Sequence, residues 1–359
     1  MKNLWKYFGG SAIFTIAALI AAFFVGYSFG GTIGTAFAAV FTVFMLGVLE
    51  TSLSFDNAVV NAKILTTMSP FWRKMFLTIG VLIAVFGMRL LFPLVIVWAV
   101  GGKSFGDVLV MTWQNPIEFQ TILTAQHVLV AAFGGSFLFM IFTKFFFDAE
   151  KDVHWVKWIE SGMAKLGAKV ESIPVLITLA GALFTSFFVP AATQATFLIA
   201  AILGVLLNIA VEGISGFLEG GEEKVAVSVG SKIVAAGLGT FLYLEVLDAS
   251  FSFDGVIGAF AITNNLYLIA LGLGVGAMFV RSLTIKLVDD KTLTTYMYLE
   301  HGAFWAIGAL SCLMFVSATG VEIPEIVSGT IGIGFIVASF LYSKHVCKKN
   351  GIGCSTESA

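Results

Sequence analysis

The chain has 359 residues, of which 58% are hydrophobic and 12% are charged, and its net charge is −2. Soluble domains carry about 25% charged residues, so this composition excludes an ordinary soluble protein. No basic run suggests a nucleic-acid partner. Apolar runs of about 20 residues recur throughout, which predicts an all-α polytopic protein embedded in a lipid bilayer.

Ten transmembrane spans are predicted. In chain order they cover residues 7–28, 33–66, 76–100, 122–147, 173–189, 193–215, 232–263, 266–286, 300–319 and 326–343. Lysines and arginines concentrate in the segments on the same side as the N-terminus, and Lys103 is the exception among the opposite loops. Because positive residues stay on the cytoplasmic side, we expect a multi-pass plasma (inner) membrane protein with both termini in the cytoplasm.

The second and seventh spans carry acidic motifs that resemble each other. The first is residues 50–57 (Glu-Thr-Ser-Leu-Ser-Phe-Asp-Asn) and the second is residues 248–255 (Asp-Ala-Ser-Phe-Ser-Phe-Asp-Gly). A carboxylate near the bilayer centre costs about 2.5–3.5 kcal/mol even on insertion scales, so it marks a functional site. Both spans exceed the length of a straight crossing, which favours either a tilted helix or a helix broken at the motif.

The similarity extends beyond the motifs. Arg89 follows the first motif in the next span and His127 opens the span after that, while Arg281 and His301 follow the second motif in the same order. Each unit is therefore three spans long. The units begin five spans apart, an odd number, so they must cross the membrane in opposite directions, and we predict two inverted three-helix repeats.

These features divide the chain into six parts. They are the first transmembrane helix and its loop (1–32), repeat 1 (33–147), a cytoplasmic amphipathic segment (148–172), a connecting helix pair with a cytoplasmic loop (173–231), repeat 2 (232–319), and the last helix with a cytoplasmic tail (320–359). In the amphipathic segment Trp155, Trp158, Ile159, Met163 and Leu166 fall near one helical face. This pattern favours a helix lying on the membrane interface. An ordinary connector between two helix bundles could have the same pattern, so both interpretations stay open.

The two acids of one motif cannot point at one ligand from an unbroken helix. They lie six residues apart, which turns the second about 240° from the first. Either the helix unwinds at Ser-Phe-Asp, which also frees backbone carbonyls as ligands, or one acid of each motif pairs with an arginine. Both arrangements stay open from the residues alone.

The side chains gathered at the motifs offer oxygen ligands, which suit Mg²⁺, Ca²⁺ or Mn²⁺. The predicted metal ligands are Glu50, Asp56, Asn57, Asp248 and Asp254. Secondary or counter-ion roles are assigned to Asn61, Arg89, Glu245, Ser252 and Arg281. Four carboxylates exceed the charge of a divalent ion, so proton release could balance the site, and protons are the expected coupling ion.

The motifs resemble those of the TerC family of integral membrane proteins, within the LysE-like transporter superfamily. The resemblance is carried by residues 53–57 (Leu-Ser-Phe-Asp-Asn), by 251–255 with 261–263 (Ala-Ile-Thr), and by 281–283 (Arg-Ser-Leu). Gly255 stands where a serine is usual, which resembles a divergent bacterial branch of unknown function. The family implies a metal-ion exporter, manganese above all, historically associated with tellurite resistance.

We therefore expect a divalent metal-ion transporter that exports Mn²⁺ by alternating access, with no cofactor. No nucleophile–base constellation accompanies the motifs, so we do not expect an enzyme. Two alternatives remain at this stage. One is an exporter of another solute, such as an amino acid, and the other is a non-transporting membrane scaffold in a metal or tellurite stress response.

Overall fold

The computed structural model describes residues 2–151, 153–218 and 237–349. These residues form helices and no strand, as predicted. In chain order the helices are α1 (Lys2–Gly30), α2 (Ile33–Leu53), α3 (Phe55–Thr67), α4 (Pro70–Leu82), a π-helical segment (Ile83–Leu91), α5 (Phe92–Gly101), α6 (Phe105–Gln114), α7 (Pro116–Thr124), α8 (His127–Phe147), α9 (Lys157–Gly167), α10 (Ile173–Ser186), α11 (Gln194–Leu218), α12 (Leu238–Ala259), α13 (Leu266–Asp289), α14 (Thr292–Thr295), α15 (Leu299–Ala318) and α16 (Glu325–Lys349).

Eight helical segments of the described chain are long and apolar enough to cross a membrane. They are Leu4–Gly30, Ile33–Leu53, Pro70–Gly101, His127–Phe147, Gln194–Gly213, Leu266–Asp289, Leu299–Ala318 and Ile326–Lys349. The protein is therefore an all-α polytopic membrane protein, which confirms the predicted fold class. The other two predicted spans correspond to α10, which has only 14 residues, and to α12, which has 22 residues but carries the second acidic motif.

The two predicted repeats pack on each other in a reciprocal manner. The first helix of repeat 1, split into α2 and α3, lies against α13, the second helix of repeat 2. Conversely, α12, the first helix of repeat 2, lies against α4 and the π-helical segment, which belong to the second span of repeat 1. The third helices, α8 and α15, pack on each other. Such reciprocal contacts are expected when a pseudo-twofold axis relates two inverted repeats.

The core lies where the repeats meet. The rings of Phe145 on α8 and Phe304 on α15 stack with centroids 3.9 Å apart, within the larger of the buried apolar clusters. A second cluster forms at one end of the bundle, where α6 and α7, from the long loop after α5, cover the end of α12. Large exposed phenylalanines on α1 and α2, such as Phe24 and Phe41, suit contact with lipid.

The segment between α8 and α10 is tied to the bundle by a buried carboxylate. Glu160 on α9 accepts hydrogen bonds from the backbone N–H groups of Trp155 and Val156, from Lys151 Nζ and from Trp305 Nε1, at 3.0–3.1 Å. Burial alone would raise the pKa of Glu160, but these donors and the Lys151 charge outweigh it and hold the pKa below its usual value.

The residues of the predicted apolar face of α9 lie in two different surroundings. Met163 packs against the larger core cluster, whereas Trp158 is 82% exposed and is free to meet a membrane interface. The interfacial position itself stays a prediction. The predicted cytoplasmic loop over residues 219–231 and the tail over 350–359 lie outside the described residues.

Candidate functional site

The second span is broken at its acidic motif. Helix α2 ends at Leu53 and α3 begins at Phe55, with Ser54 between them at φ −93° and ψ 23°. The break leaves the last carbonyl groups of α2, the negative end of its dipole, beside the first turn of α3. Of the alternatives for this long span, the structure takes the broken helix. In contrast, α12 continues through the second motif from Leu238 to Ala259.

An arginine pairs with one acid of the first motif. Arg89 Nη2 lies 2.5 Å from Glu50 Oε1, and both side chains are at least 93% buried. Arg89 sits in the π-helical segment and also donates from Nη1 to the carbonyl of Ala84, five residues earlier, at 2.6 Å. The wider turn of a π-helix frequently occurs at functional sites. Here it accompanies a guanidinium whose charge is shared between a carboxylate and a carbonyl.

The second repeat contains the equivalent arginine pair. Arg281 Nη2 on α13 lies 3.4 Å from Asp248 Oδ2 and 3.7 Å from Glu245 Oε1, and Arg281 Nη1 donates to the carbonyl of Phe76 at 2.6 Å. Arg281 is only 4% exposed, so it is a buried counter-ion and does not extend to the cytoplasmic surface. In both repeats, therefore, the arginine of the second helix compensates an acid of the first.

The remaining acid of the first motif has no such partner. Asp56 is 6% exposed, and no lysine, arginine or histidine of the described residues lies within ion-pair distance of it. Its Oδ1 accepts the N–H of Asn57, at 3.0 Å. The side-chain oxygen of Asn57 is also buried, and no donor from the described part of the chain reaches it. A buried unpaired carboxylate beside an unsatisfied amide oxygen is the environment that a hard cation satisfies.

These groups line a pocket of about 50 Å³. Its lining consists of Glu50, Leu53, Ser54, Asp56, Asn57, Phe251, Gly255, Leu310, Ser328 and Gly329. The two motifs meet here, because a Cβ on Gly255 of α12 would lie 3.2 Å from Glu50 Oε2. Gly255 thus leaves space against the Glu50 carboxylate. Asp254 precedes Gly255 on α12, and its side chain lies outside the described residues.

Close approach of α13 fixes the position of Glu50. A Cβ on Gly276 would lie 2.3 Å from Glu50 Cγ, and one on Gly272 would lie 2.5 Å from Leu46 Cβ. Only glycine fits such contacts between helix backbones. The glycines of α13 therefore let α2 come close enough for Glu50 to lie between the pocket and Arg89.

The other predicted ligands form a separate layer. Asn61, one helical turn beyond Asn57, donates from Nδ2 to Asp248 Oδ1 at 3.4 Å. Asp248 and Glu245 lie with Arg281 and do not line the pocket. Within the described ranges, no hydrogen-bond partner reaches the buried atoms Ser252 Oγ, Asn61 Oδ1 and Glu245 Oε1. The structure thus brings together Glu50, Asp56 and Asn57, and it places Asp248 in the second layer.

No group of three or more histidine, cysteine, aspartate or glutamate side chains converges as a ready metal cage among the described residues. Among the described side chains, Glu50 and Asp56 are the acids that line the pocket. A bound cation would therefore need neutral oxygens for part of its coordination, from Asn57, Ser54 or carbonyl groups at the break. Such mixed coordination is usual for hard cations.

His127 and His301, which occupy matching positions in the two predicted repeats, lie in different parts of the structure and contact different partners. His127 Nε2 lies 3.5 Å from Ser317 Oγ, at one end of the bundle. His301 Nε2 lies 2.8 Å from the carbonyl of Val153 and so contacts the segment before α9. Neither histidine lines the acidic pocket.

Sequence reasoning missed the contribution of α16, which belongs to neither repeat. Ser328 and Gly329 line the pocket, and a Cβ on Gly332 would lie 3.1 Å from Asp56 Oδ2. The signal in the sequence is the glycine run over residues 329–334, Gly-Thr-Ile-Gly-Ile-Gly. That run predicts close helix packing but does not identify the helix that it packs against.

A family model described as a protein of unknown function (DUF475) matches residues 55–350. The chain belongs to this family. The DUF475 match includes Asp56, Asn57, both arginines and the second motif, and it begins after Glu50. No curated protein and no solved structure shows a significant similarity to the chain.

Proposed function

We propose that this DUF475 protein is a transporter of divalent metal ions that exports Mn²⁺ by alternating access. The observation that carries the proposal is the pocket at the break in the second span. It combines an unpaired buried carboxylate, Asp56, with the unsatisfied amide oxygen of Asn57. Ionisable groups inside a membrane domain that lack a structural partner mark ion pathways, and broken helices supply the carbonyls that bind cations in transporters.

The charges at the pocket favour a cation over an anion. Arg89 neutralises Glu50, so Asp56 gives the described pocket one net negative charge. The proposal assigns a second negative charge to Asp254 of the opposite motif. Together they would balance a dication, while the arginine pairs keep the surrounding acids from repelling each other. Exchange for protons remains part of the proposal, because an unpaired carboxylate can take up a proton when the cation leaves.

The small pocket favours Mn²⁺ over Mg²⁺. Its volume is about 50 Å³, and a cation held there would take much of its coordination from protein oxygens. Mg²⁺ loses its hydration shell reluctantly and usually keeps several waters. The absence of sulfur ligands among the pocket-lining residues argues against a soft ion. The resemblance of the motifs to the TerC family supports the same assignment.

Manganese tolerance tests the proposal. Cells that lack their own manganese exporter would express the wild type, Asp56→Asn, or the control Asp107→Asn, which removes a carboxylate at the start of α6 but keeps a capping side chain. We expect the wild type and the control to restore growth in manganese and to lower cellular manganese. Asp56→Asn should do neither at equal expression, because the pocket loses its negative charge.

The same experiment separates the alternatives. If Asp56→Asn protects as well as the wild type, the acid is not a ligand, and a scaffold role would explain the result better. If the wild type leaves cellular manganese unchanged but changes the content of a free amino acid, the cargo is not a metal ion.

A further inference from the structure

A second, larger cavity lies at the end of the bundle that carries α7 and the loop after α15. Its volume is about 550 Å³, and its lining includes Gln120, His127, Phe260, Ser317 and Glu322. The elements around it are α7, the start of α8, the ends of α12 and α15, and α16. Its lining is mixed: amide, imidazole, hydroxyl and carboxyl groups stand among apolar side chains such as Ile257 and Met314.

This cavity meets the acidic pocket at α16. Ser328 lines both the larger cavity and the pocket that contains Asp56. In the same measure the larger cavity has about 550 Å³ and the pocket about 50 Å³. A cation that passes from the cavity into the pocket would thus exchange waters for protein oxygens at the junction beside Ser328.

On the other side of the pocket the helices are packed closely. Asn61, one turn beyond Asn57, is fully buried and bonds to Asp248. Ile64 and Leu65, which follow on α3, are at most 4% exposed and belong to the larger core cluster. In the same turn of α3 an ion pair joins this helix to α15, with Lys63 Nζ 2.8 Å from Glu300 Oε2.

We propose that the structure represents an outward-facing state, in which the larger cavity is the outer vestibule of the transport path. The side closed by the Lys63–Glu300 pair would then be cytoplasmic, in agreement with the orientation that the lysines and arginines predict. This inference rests on the proposed function for the existence of a transport path and for the identity of the cargo. The location of the open and closed ends follows from the cavity and the packing.

Accessibility of single cysteines to a membrane-impermeant, positively charged thiol reagent tests the inference. The three native cysteines would be replaced by serine, and one cysteine introduced at Ser317 in the vestibule, at Ser54 in the pocket, or at the exposed Thr66 beyond the closed end. Full labelling after denaturation in detergent shows that each thiol is reactive.

In sealed right-side-out vesicles we expect rapid labelling of Ser317→Cys, slower labelling of Ser54→Cys, and none of Thr66→Cys until the membrane is permeabilised. Prior attachment of a bulky group at position 317 should slow labelling at position 54 by tenfold or more in the double variant. Labelling of Thr66→Cys but not of Ser317→Cys in sealed vesicles would overturn the inference, and so would unimpeded labelling at position 54 beyond a blocked vestibule.

Manganese added during labelling separates this inference from the proposed function. If Mn²⁺ is the cargo, it should protect Ser54→Cys and leave Ser317→Cys unaffected. If the labelling pattern holds but Mn²⁺ does not protect position 54, the vestibule stands and the cargo is wrong. If neither cysteine is labelled from outside, the vestibule is wrong whatever the cargo.

Discussion

Removing one partner of the Glu50–Arg89 pair should destabilise the protein more than removing both. The two side chains are 7% and 4% exposed, and their charged atoms are 2.5 Å apart. Glu50→Gln leaves a buried guanidinium, which cannot lose its proton. Arg89→Met leaves a carboxylate, which can become neutral by taking up a proton and so limits its own cost.

The expected sizes follow from the behaviour of buried ion pairs. Loss of one partner lowers the free energy of unfolding by about 3–5 kcal/mol, whereas replacement of both partners by uncharged groups of similar volume often changes it little. We expect Glu50→Gln to lie at the upper end of that range and Arg89→Met at the lower end. The double variant should lose less than about 2 kcal/mol, part of which is the bond to the Ala84 carbonyl. The coupling energy, which is the sum of the two single losses minus the loss of the double variant, is then about 6 kcal/mol or more.

Reversible unfolding by sodium dodecyl sulfate in mixed micelles, followed by circular dichroism, measures all four proteins. The exposed pair Lys103–Glu118, 2.9 Å apart and at least 40% exposed, is the matched control. There Glu118→Gln should cost no more than about 1 kcal/mol. If the losses of the two single variants simply add in the double variant, Glu50 and Arg89 are not coupled, and the charge balance proposed for the pocket fails with them.

Three further predictions concern the pocket and the segment before α9. Asn57→Leu should abolish Mn²⁺ binding to the purified protein while its unfolding changes little, because the side-chain oxygen has no partner to lose; unchanged binding would remove this oxygen from the site. Gly332→Ala should slow transport several-fold, since its methyl group would lie 3.1 Å from Asp56 Oδ2, whereas Gly334→Ala, which meets nothing within 4 Å, should not. Equal transport rates in the two variants would show that α16 does not border the site. Glu160→Gln should speed hydrogen exchange of the two backbone amides that bind the carboxylate, and unchanged exchange would mean that other contacts hold the segment.

The sequence predicted the spans well because apolar runs are the dominant physical signal in a membrane protein. The ends were less certain. Residues 232–263 were predicted as one long span, but α12 ends at Ala259 and occupies 22 residues of the described chain, which suffices for about 33 Å. The second span keeps its predicted length, but it consists of a 21-residue helix and a 13-residue helix that are separated at Ser54. The first repeat thus accommodates its excess length by a break, whereas in the second repeat the described helix stops at Ala259, four residues before the predicted end.

The candidate site was predicted in composition but not in arrangement. The acids and arginines stand out because charged groups inside apolar spans are rare. Which acid meets which arginine depends on how α2, α13 and the π-helical segment approach each other, and spacing along one helix does not contain that information. The contribution of α16 was missed for a related reason: a helix outside the repeats offers only Ser328 and glycines, which carry no distinctive chemistry.

The two repeats share their charge compensation but differ in their ligand chemistry. Glu50 with Arg89 and Asp248 with Arg281 are equivalent pairs, so both repeats stabilise one buried acid in the same way. The break at Ser54 occurs only in the first repeat, and it places Asp56 beside Ser328, where the larger cavity begins. In the alternating-access cycle that we propose, the two repeats would exchange conformations and so exchange which end of the bundle is packed. The break in one repeat and the intact helix in the other are the kind of conformational difference that such an exchange requires.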